Sequence, residues 1–210
     1  MNNLVIITSF IDSKLHIKQI TDNADFVICL DGGYDIAVAD NITPDLILGD
    51  LDSLSGSLPD DIPLERFKPE KDFTDLELAL KKALQLNAKN VIIIGGIGGR
   101  LDHTMANIQL IANYTKNFES LVMMDGSNKC FVLDPLRKES IIIPAEADKY
   151  ISLFSLSAKC TGVSISGVKY TLNDHILTNT YPLGVSNEFK EKDAVLSIKD
   201  GTLLVVISKK

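Results

Sequence analysis

Two aspartates end an apolar run in residues 44–53, which read PDLILGDLDS. In an extended chain, residues two apart point to the same face, so the carboxylates of Asp50 and Asp52 are expected to lie side by side. Two carboxylates held that close repel each other unless a cation lies between them. Hard oxygen ligands of this kind suit Mg²⁺, which takes one or two carboxylates together with substrate phosphates. The spacing favours a magnesium site; the alternative is a solvated acidic loop.

A second acidic segment, KDFTDLE, covers residues 71–77. Thr74 and Glu77 fit the S/T-x-x-E capping box that begins many helices. The box requires neither Lys71 nor Asp72. A helix start with open backbone N–H groups, a lysine and the two carboxylates of Asp72 and Asp75 suits a phosphate with its metal. Capping and ligand binding are compatible, and both stay open for this segment.

Glycines mark two further segments. Residues 95–103 read GGIGGRLDH, and four glycines in five residues followed by Arg100 predict a phosphate-binding loop before a helix. The segment is neither a Walker A loop nor a GxGxxG motif. Its His103, taken alone, is more typical of a hydrogen-bond donor at a helix start. In Asp31-Gly32-Gly33, paired glycines permit close approach of a ligand to the backbone, and a plain turn is the alternative.

Alternating strands and helices are predicted to position these segments. Short β-branched runs at residues 4–8, 26–30, 46–48 and 91–94 are typical of strands buried on both faces of a parallel sheet. Helical spacing of apolar residues predicts helices over 75–86 and about 104–117, the second with Met105, Ile108, Ile111 and Ala112 as its apolar stripe. This order predicts an open, mostly parallel α/β domain, whose ligands bind beyond the carboxyl ends of the strands.

The second part of the chain changes to a two-residue period. Residues 150–156 and 163–166 alternate, and residues 194–198 and 202–207 flank Asp200-Gly201, a strong hairpin signal. We therefore expect a C-terminal antiparallel β-sandwich domain. Residues 1–124 hold 18 acids and 10 bases, whereas residues 125–210 hold 10 acids and 11 bases. The change in period and charge predicts domains at 1–124 and 125–210.

Composition excludes several classes of protein. The 210 residues carry a net charge of −7 and no basic cluster, which argues against nucleic acid as a partner. No apolar run approaches the roughly 20 residues that span a bilayer, and the first residues lack a signal-peptide layout. The three cysteines are widely spaced and form no CxxC pair, which favours buried thiols in the cytoplasm over disulfides or a zinc site.

The four segments DGG, PDLILGDLDS, KDFTDLE and GGIGGRLDH together resemble, in order and spacing, the motifs of the thiamine pyrophosphokinase family. The resemblance covers essentially the whole chain. It implies an N-terminal domain that binds ATP and Mg²⁺, a C-terminal β-sandwich that helps to bind thiamine, and a homodimer with its site near the subunit interface. The implied reaction moves a diphosphate from ATP to the hydroxyethyl group of thiamine, which gives thiamine diphosphate and AMP.

The resemblance also implies roles for individual residues. It assigns the acidic metal and diphosphate site to Asp50, Asp52, Asp72 and Asp75. The nucleotide- and phosphate-binding segments hold Asp31, Gly32, Gly33, Lys71, Thr74, Arg100, Asp102 and His103. Residues 184–188 resemble the segment that meets thiamine across the dimer, with Ser186 and Asn187 as substrate-binding residues; a β-turn is the alternative there. Some members cover the thiamine ring with tryptophan, which this chain lacks.

Two other functions fit part of the pattern. The Asp50-Leu51-Asp52 sequence is similar to the nucleophile motif of haloacid-dehalogenase-type phosphatases, although that motif normally follows the first strand rather than the third. A non-enzymatic module that senses a nucleotide or thiamine is the second alternative. Formation of an aspartyl phosphate would favour the phosphatase, and binding without turnover would favour the sensor.

Overall fold

The computed structural model describes residues 1–49, 61–66 and 73–210. The described residues form two compact units. The first comprises Met1–Leu110 with Asn117–Gly126, and the second comprises Ile111–Lys116 with Ser127–Lys210. The division at residues 124 and 125, with its separate roles for two domains, stays a prediction.

The first unit contains a sheet of six parallel strands in the order β6-β5-β1-β2-β3-β4. The strands are β1 (Asn3–Ile7), β2 (Phe26–Leu30), β3 (Leu46–Gly49), β4 (Leu64–Arg66), β5 (Asn90–Ile94) and β6 (Ser120–Met124). The four predicted strands are β1, β2, β3 and β5, and their apolar runs are buried almost throughout. The predicted α/β class is therefore confirmed, and β4 and β6 are additional strands.

Four α-helices accompany these strands in the described residues: α1 (Ile17–Thr21), α2 (Gly33–Ala39), α3 (Asp75–Gln85) and α4 (Leu101–Tyr114). Helix α3 ends one residue before its predicted limit. Helix α4 begins three residues before the prediction, and its predicted last residues form a short 3-10 turn over Thr115–Asn117. On its apolar stripe Ile111 is buried, whereas Met105 is 51% exposed. No helix in the described residues is long and apolar enough to cross a membrane.

The strand order places a switch point between β1 and β5. From β1 the chain adds β2, β3 and β4 on one side, and it then adds β5 and β6 on the other side of β1. In open α/β sheets, ligands bind at the carboxyl ends of the strands where the winding reverses. The loops that follow β1 and β5 border this place.

The second unit contains two antiparallel sheets, in the orders β12-β9-β14-β7 and β11-β10-β13-β8. Their strands are β7 (Asn128–Leu133), β8 (Ser140–Ile143), β9 (Lys149–Ser155), β10 (Lys159–Ser166), β11 (Leu172–Thr178), β12 (Gly184–Glu188), β13 (Ala194–Ser197) and β14 (Leu203–Lys209). The predicted antiparallel β-sandwich is confirmed.

The predicted hairpin at Asp200-Gly201 is wrong. Strand β13 pairs with β8 and β10, whereas β14 pairs with β7 and β9, so the turn joins the two sheets instead of two neighbours in one sheet. Asp200 bridges to Thr161, and a Cβ at Gly201 would lie 2.5 Å from the backbone oxygen of Lys159. Glycine is required there because the neighbouring backbone passes so closely, and this requirement mimics the local signal of a hairpin turn.

Candidate active site

The predicted ligand loop at Asp31 lies at the carboxyl ends of β2 and β3. Asp31 has a φ of +42°, and its N–H donates to the carbonyl of Leu48 at 3.2 Å. Its carboxylate packs against Gly49, the last residue of β3, where a Cβ would lie 1.7 Å from Asp31 Oδ1. The absence of a side chain at Gly49 thus lets the Asp31 carboxylate lie beside the residue that directly precedes Asp50.

Gly33 begins α2 and is buried against β1. A Cβ on Gly33 would lie 2.3 Å from the backbone oxygen of Ile7, the last residue of β1. The close approach that the paired glycines predict is therefore made, at Gly33, by the protein's own backbone. A ligand-binding role for Asp31-Gly32-Gly33 stays a prediction.

The glycine-rich segment after β5 packs against the loop after β1. The N–H of Gly95 donates to Met124 O at 2.8 Å, and that of Gly96 donates to Phe10 O at 3.0 Å. The N–H of Gly98 donates to Thr104 Oγ1 at 3.1 Å. Three amides of the segment are thus engaged by protein acceptors and are not directed at a ligand.

In the part of the segment that precedes α4, the remaining amides are those of Ile97, Gly99 and Arg100. Within the described part of the chain they donate no hydrogen bond. They directly precede α4, a helix of 14 residues that starts at the carboxyl edge of the sheet. A helix N-terminus carries partial positive charge, so these amides are the groups of the segment that suit a phosphate.

Arg100 and Asp102 form an ion pair at the start of α4. Arg100 donates to Asp102 through Nε at 3.2 Å and through Nη2 at 2.6 Å. This contact holds the pKa of the Asp102 carboxyl below its ordinary value and raises the pKa of the Arg100 guanidinium. Both side chains are more than half exposed, at 70% and 65%, so both are accessible to a ligand. His103 is also exposed.

Thr74 begins α3 as its N-cap. The Thr74 hydroxyl accepts the N–H of Glu77 at 3.2 Å, as the capping box predicts. Asp75 follows in the first turn, and Glu77 pairs with Lys81 at 3.2 Å. Since α3 leads into β5 at the amino edge of the sheet, its first turn lies towards the carboxyl edge. Asp75 therefore lies towards the same edge as Asp31 and Arg100.

Replacement of Thr74 by alanine is expected to cost about 1 kcal/mol of unfolding free energy, because the Glu77 amide loses its acceptor. Urea denaturation followed by circular dichroism measures this loss. Thr74→Ser keeps the hydroxyl and should retain most of the stability. A Thr74→Ala protein as stable as the wild type would contradict the capping role.

Four predicted site residues lie outside the described residues, namely Asp50, Asp52, Lys71 and Asp72. Among the residues that the structure describes, no group of three His, Cys, Asp or Glu side chains is placed to hold a metal. The predicted Mg²⁺ ligands thus include only one described carboxylate, that of Asp75. The metal set stays a prediction, supported by the hard oxygen donors that these aspartates supply.

The predicted thiamine segment forms β12, a strand with an irregular register between Gly184 and Asn187, so the alternative of a β-turn is wrong. Ser186 has a φ of +57°, and its N–H donates to Ser152 Oγ at 2.9 Å. The Asn187 side chain accepts the N–H of Tyr170 at 3.0 Å and donates to its carbonyl at 2.7 Å. The Asn187 amide group therefore has a structural task, whereas Ser186 is exposed.

Glu188, the last residue of β12, lies between two lysines. Lys169 Nζ is 2.7 Å from one carboxylate oxygen, and Lys210 Nζ is 3.1 Å from the other. These two cations hold the pKa of the Glu188 carboxyl below its ordinary value. The charge of Glu188 is thereby balanced within the second unit.

The loop after β1 makes contacts that no sequence motif indicated. The Ser13 hydroxyl donates to Asp125 Oδ1 at 3.2 Å, and the N–H of Gly126 donates to Ser13 O at 3.3 Å. Asp125 is 3% exposed and directly follows β6. Asp125 could have been identified from its position directly after the strand-forming residues 120–124, since Asp31 and Asp50 likewise come after predicted strands.

Two family models match the chain, one for a catalytic domain over residues 17–123 and one for a vitamin B1 binding domain over residues 139–203. The fold and these matches define the class of protein as a kinase whose chain matches both a catalytic-domain model and a vitamin-binding model. Both models describe thiamin pyrophosphokinase, and the chain belongs to the thiamin pyrophosphokinase family.

Similar proteins span nearly the whole chain. Thiamine pyrophosphokinase of Bacillus subtilis is 31% identical over 193 residues, which cover 90% of this chain and 89% of the relative. The crystal structure of thiamine pyrophosphokinase from Bacillus subtilis matches with a TM-score of 0.87 at 25% identity, with 100% of both chains covered. A thiamin pyrophosphokinase family protein from Enterococcus faecalis matches with a TM-score of 0.77 at 28% identity, with 100% of this chain and 99% of that chain covered.

Proposed function

We propose that this chain transfers the diphosphate of ATP to the hydroxyethyl group of thiamine and thereby produces thiamine diphosphate and AMP. The observation that carries the proposal is the paired match to a catalytic and a vitamin B1 binding domain across the chain. The carboxyl ends of β2, β3 and β5 support it, since they lie at one edge of the parallel sheet, where such folds bind their ligands.

We assign the binding of Mg²⁺ to Asp50 and Asp52 together with Asp72 or Asp75. When bound, the ion supplies positive charge that neutralises the phosphate oxygens of ATP. Asp75 sits in the first turn of α3, and the donor set consists of carboxylate oxygens, which fit this ion. Reactions of this type need positioning and charge neutralisation more than covalent help from the protein.

The chain's own cations and carboxylates carry the remaining steps. Arg100, exposed at the start of α4, or Lys71 neutralises the charge that develops as AMP leaves. One of the aspartates of the acidic site accepts the proton of the thiamine hydroxyl group. The amides of Ile97, Gly99 and Arg100 hold the phosphates in place. Since thiamine is a cation, the acidic balance of residues 1–124 attracts it.

We place thiamine at β12, where Ser186 contacts it and Asn187 positions the strand. Ser186 is exposed on this strand, and the Asn187 side chain fixes the backbone beside it. The role of Asn187 in this proposal is to hold Tyr170 and β12 in register. Direct polar contact with the substrate falls to Ser186.

We also propose that the chain forms a homodimer with the site near the subunit interface. Strand β11 supports this, because four successive residues in it, 173–176, are exposed although strands normally bury every second residue. Exposed apolar side chains occur on the same unit, including Tyr170, Ile176, Tyr181, Leu183 and Val185. Equilibrium sedimentation tests this, and a mass of one chain at micromolar concentration would contradict it.

We also propose that the protein is located in the cytoplasm and does not bind nucleic acid. All three cysteines lie in the described residues, and they are buried and form no disulfide. Burial raises the pKa of the Cys29 thiol to about 12, so this cysteine is a core side chain and not a reactive one. The net charge of −7 disfavours contact with a phosphate backbone.

Incubation with ATP, Mg²⁺ and thiamine tests the proposed reaction. The expected products, separated by chromatography, are AMP and thiamine diphosphate in equal amounts. Release of inorganic phosphate with an aspartyl intermediate that beryllofluoride traps would instead indicate the phosphatase. Binding of the substrates without AMP would indicate the sensor. β3 ends at Gly49 and Asp50 is the next residue in the sequence, so the Asp-x-Asp motif follows the third strand and not the first strand as in that phosphatase class.

A further inference from the structure

An exposed aromatic side chain lies at the switch point of the parallel sheet. Phe10 belongs to the loop after β1, defined here as residues 8–16, which borders the glycine-rich segment after β5. The Phe10 side chain is 43% exposed. Residue 10 precedes residues 17–123, which the catalytic-domain model matches.

The backbone around Phe10 is held in place by its neighbours. Phe10 O accepts hydrogen bonds from the N–H of Gly96 at 3.0 Å and from Thr8 Oγ1 at 3.1 Å. Three residues later, Ser13 is fixed by Asp125 Oδ1 at 3.2 Å and by the N–H of Gly126 at 3.3 Å. Hydrogen bonds to the segments that follow β5 and β6 thus hold this loop at and after Phe10, which fixes the backbone position of the residue.

The ring of Phe10 packs with one face against Gly99. A Cβ at Gly99 would lie 2.9 Å from Cζ, 3.0 Å from Cε1 and 3.2 Å from Cε2, which are the atoms at the far end of the ring. Gly99 also has a φ of +62°, a conformation that glycine adopts most easily. Gly99 thus packs against one face of the ring, so a ligand can stack only on the opposite face of this side chain, which is 43% exposed.

The same glycine connects Phe10 to the groups proposed to hold phosphate. In the glycine-rich segment before α4, the amides of three residues donate to no acceptor in the described part of the chain. Gly99 is one of these residues, and Arg100 follows it. The Phe10 ring therefore lies beside the proposed phosphate-binding groups, within one compact unit, and its face opposite Gly99 is the one proposed to bind a ligand. A nucleotide suits this combination, since its base can stack on an aromatic ring while its phosphates need donors and positive charge.

We propose that the Phe10 ring stacks on the adenine base of ATP and is a binding residue for the nucleotide. This inference rests on the proposed function, and it adds the residue that recognises the base. The base is the favoured occupant over the aromatic rings of thiamine, because Phe10 belongs to the unit that holds the catalytic-domain match, whereas the vitamin B1 binding match lies at residues 139–203.

Titration calorimetry of the full chain with two probes tests this proposal. The first probe is α,β-methylene-ATP with Mg²⁺, whose bridge cannot be cleaved, and the second is inorganic triphosphate with Mg²⁺, which has no base. Phe10→Ala is expected to weaken the first probe roughly 5- to 100-fold and to leave the second unchanged. Phe10→Trp should retain the wild-type affinity for both, since it keeps an aromatic face.

Further variants separate stacking from other effects. Phe10→Leu keeps an apolar contact with Gly99 without an aromatic face, so it should lose affinity for α,β-methylene-ATP as Phe10→Ala does. Val38→Ala changes an apolar side chain of similar exposure, 53%, in the same unit and should change neither affinity. Circular dichroism and thermal melting verify that each variant is folded.

Three results of the calorimetry would overturn the stacking role. They are wild-type affinity in Phe10→Ala, wild-type affinity in Phe10→Leu, and an equal loss for both probes, which would indicate a general distortion of the phosphate site. A selective rise in the KM for thiamine would show that Phe10 contacts the other substrate and would equally overturn it. Failure of the wild-type chain to bind α,β-methylene-ATP would remove the nucleotide site itself, and the proposed function would then fail first.

Discussion

Replacement of Asp52 by asparagine is expected to lower the rate of AMP formation at least ~100-fold without loss of the fold. Asparagine keeps the size of the side chain but removes the negative charge that the proposed Mg²⁺ site requires. Loss of one group that stabilises charge in a reaction of this type commonly costs a factor of about 100 to 1,000. The initial rate with saturating ATP, Mg²⁺ and thiamine measures the effect, and near-normal turnover would contradict the metal assignment.

Asp45→Asn provides a matched control in the same segment. Asp45 lies at the amino end of β3, where its Oδ2 accepts the N–H of Val27 at 2.8 Å. Asparagine offers an oxygen in the same position, so the hydrogen bond and the strand pairing should persist. Normal turnover in Asp45→Asn beside lost turnover in Asp52→Asn would locate the essential charge at the carboxyl end of the strand. Equal losses would indicate that the segment tolerates no change of charge anywhere.

The sequence predicted those parts of the fold that depend on neighbours in the chain. The predicted bounds of β2, residues 26–30, are those of the strand in the structure. The prediction succeeds because four of the five residues are buried and polar residues flank the run. The start of α3 was predicted from Thr74 and Glu77, which form their hydrogen bond within one turn. A local pattern is sufficient where the stabilising contacts are local.

Contacts between residues far apart in the chain could not be predicted from local sequence patterns. The hydrogen bond between Ser13 and Asp125 joins residues 112 positions apart, and nothing in either segment indicates the other. Pairing of β1 with β5, and of β5 with β6, brings these residues together. The aromatic ring of Phe10 reaches the glycine-rich segment by the same route, so its position could only be read from the sheet order.

The glycines show how one sequence signal can have two physical origins. Four glycines in residues 95–99 predict a phosphate-binding loop, yet the space at Gly98 and Gly99 is limited by the side chains of Asp12 and Phe10. The absence of side chains at these glycines allows the loops after β1 and β5 to pack together at the switch point. The amides of Ile97, Gly99 and Arg100 remain suitable for binding phosphate. Packing and binding thus act together in this segment, and neither explains it alone.

Gly33→Ala is expected to be the most destabilising of the substitutions considered. A Cβ at residue 33 would lie 2.3 Å from the backbone oxygen of Ile7, which belongs to the central strand β1 and is fully buried. A backbone atom in a central strand cannot move aside as a side chain can, so either α2 or β1 must shift. We expect a loss of about 3 kcal/mol, at the upper end of the range for overpacked cores. Thermal unfolding should show a decrease of roughly 6–12 °C in Tm.

Gly32→Ala separates this steric effect from a change in the ligand loop. Gly32 has a φ of −59° and a ψ of −6°, which alanine adopts without strain, so its substitution should change the unfolding free energy by about 1 kcal/mol or less. If both variants lost the same stability, the tight contact with Ile7 would not be the cause. If Gly33→Ala were as stable as the wild type but bound ATP poorly, Gly33 would be required for ligand binding and not for the packing of α2 on β1. A large loss of stability confined to Gly33→Ala would show that the second glycine of the loop is required by the fold, which leaves Asp31 and Gly32 to meet the substrate.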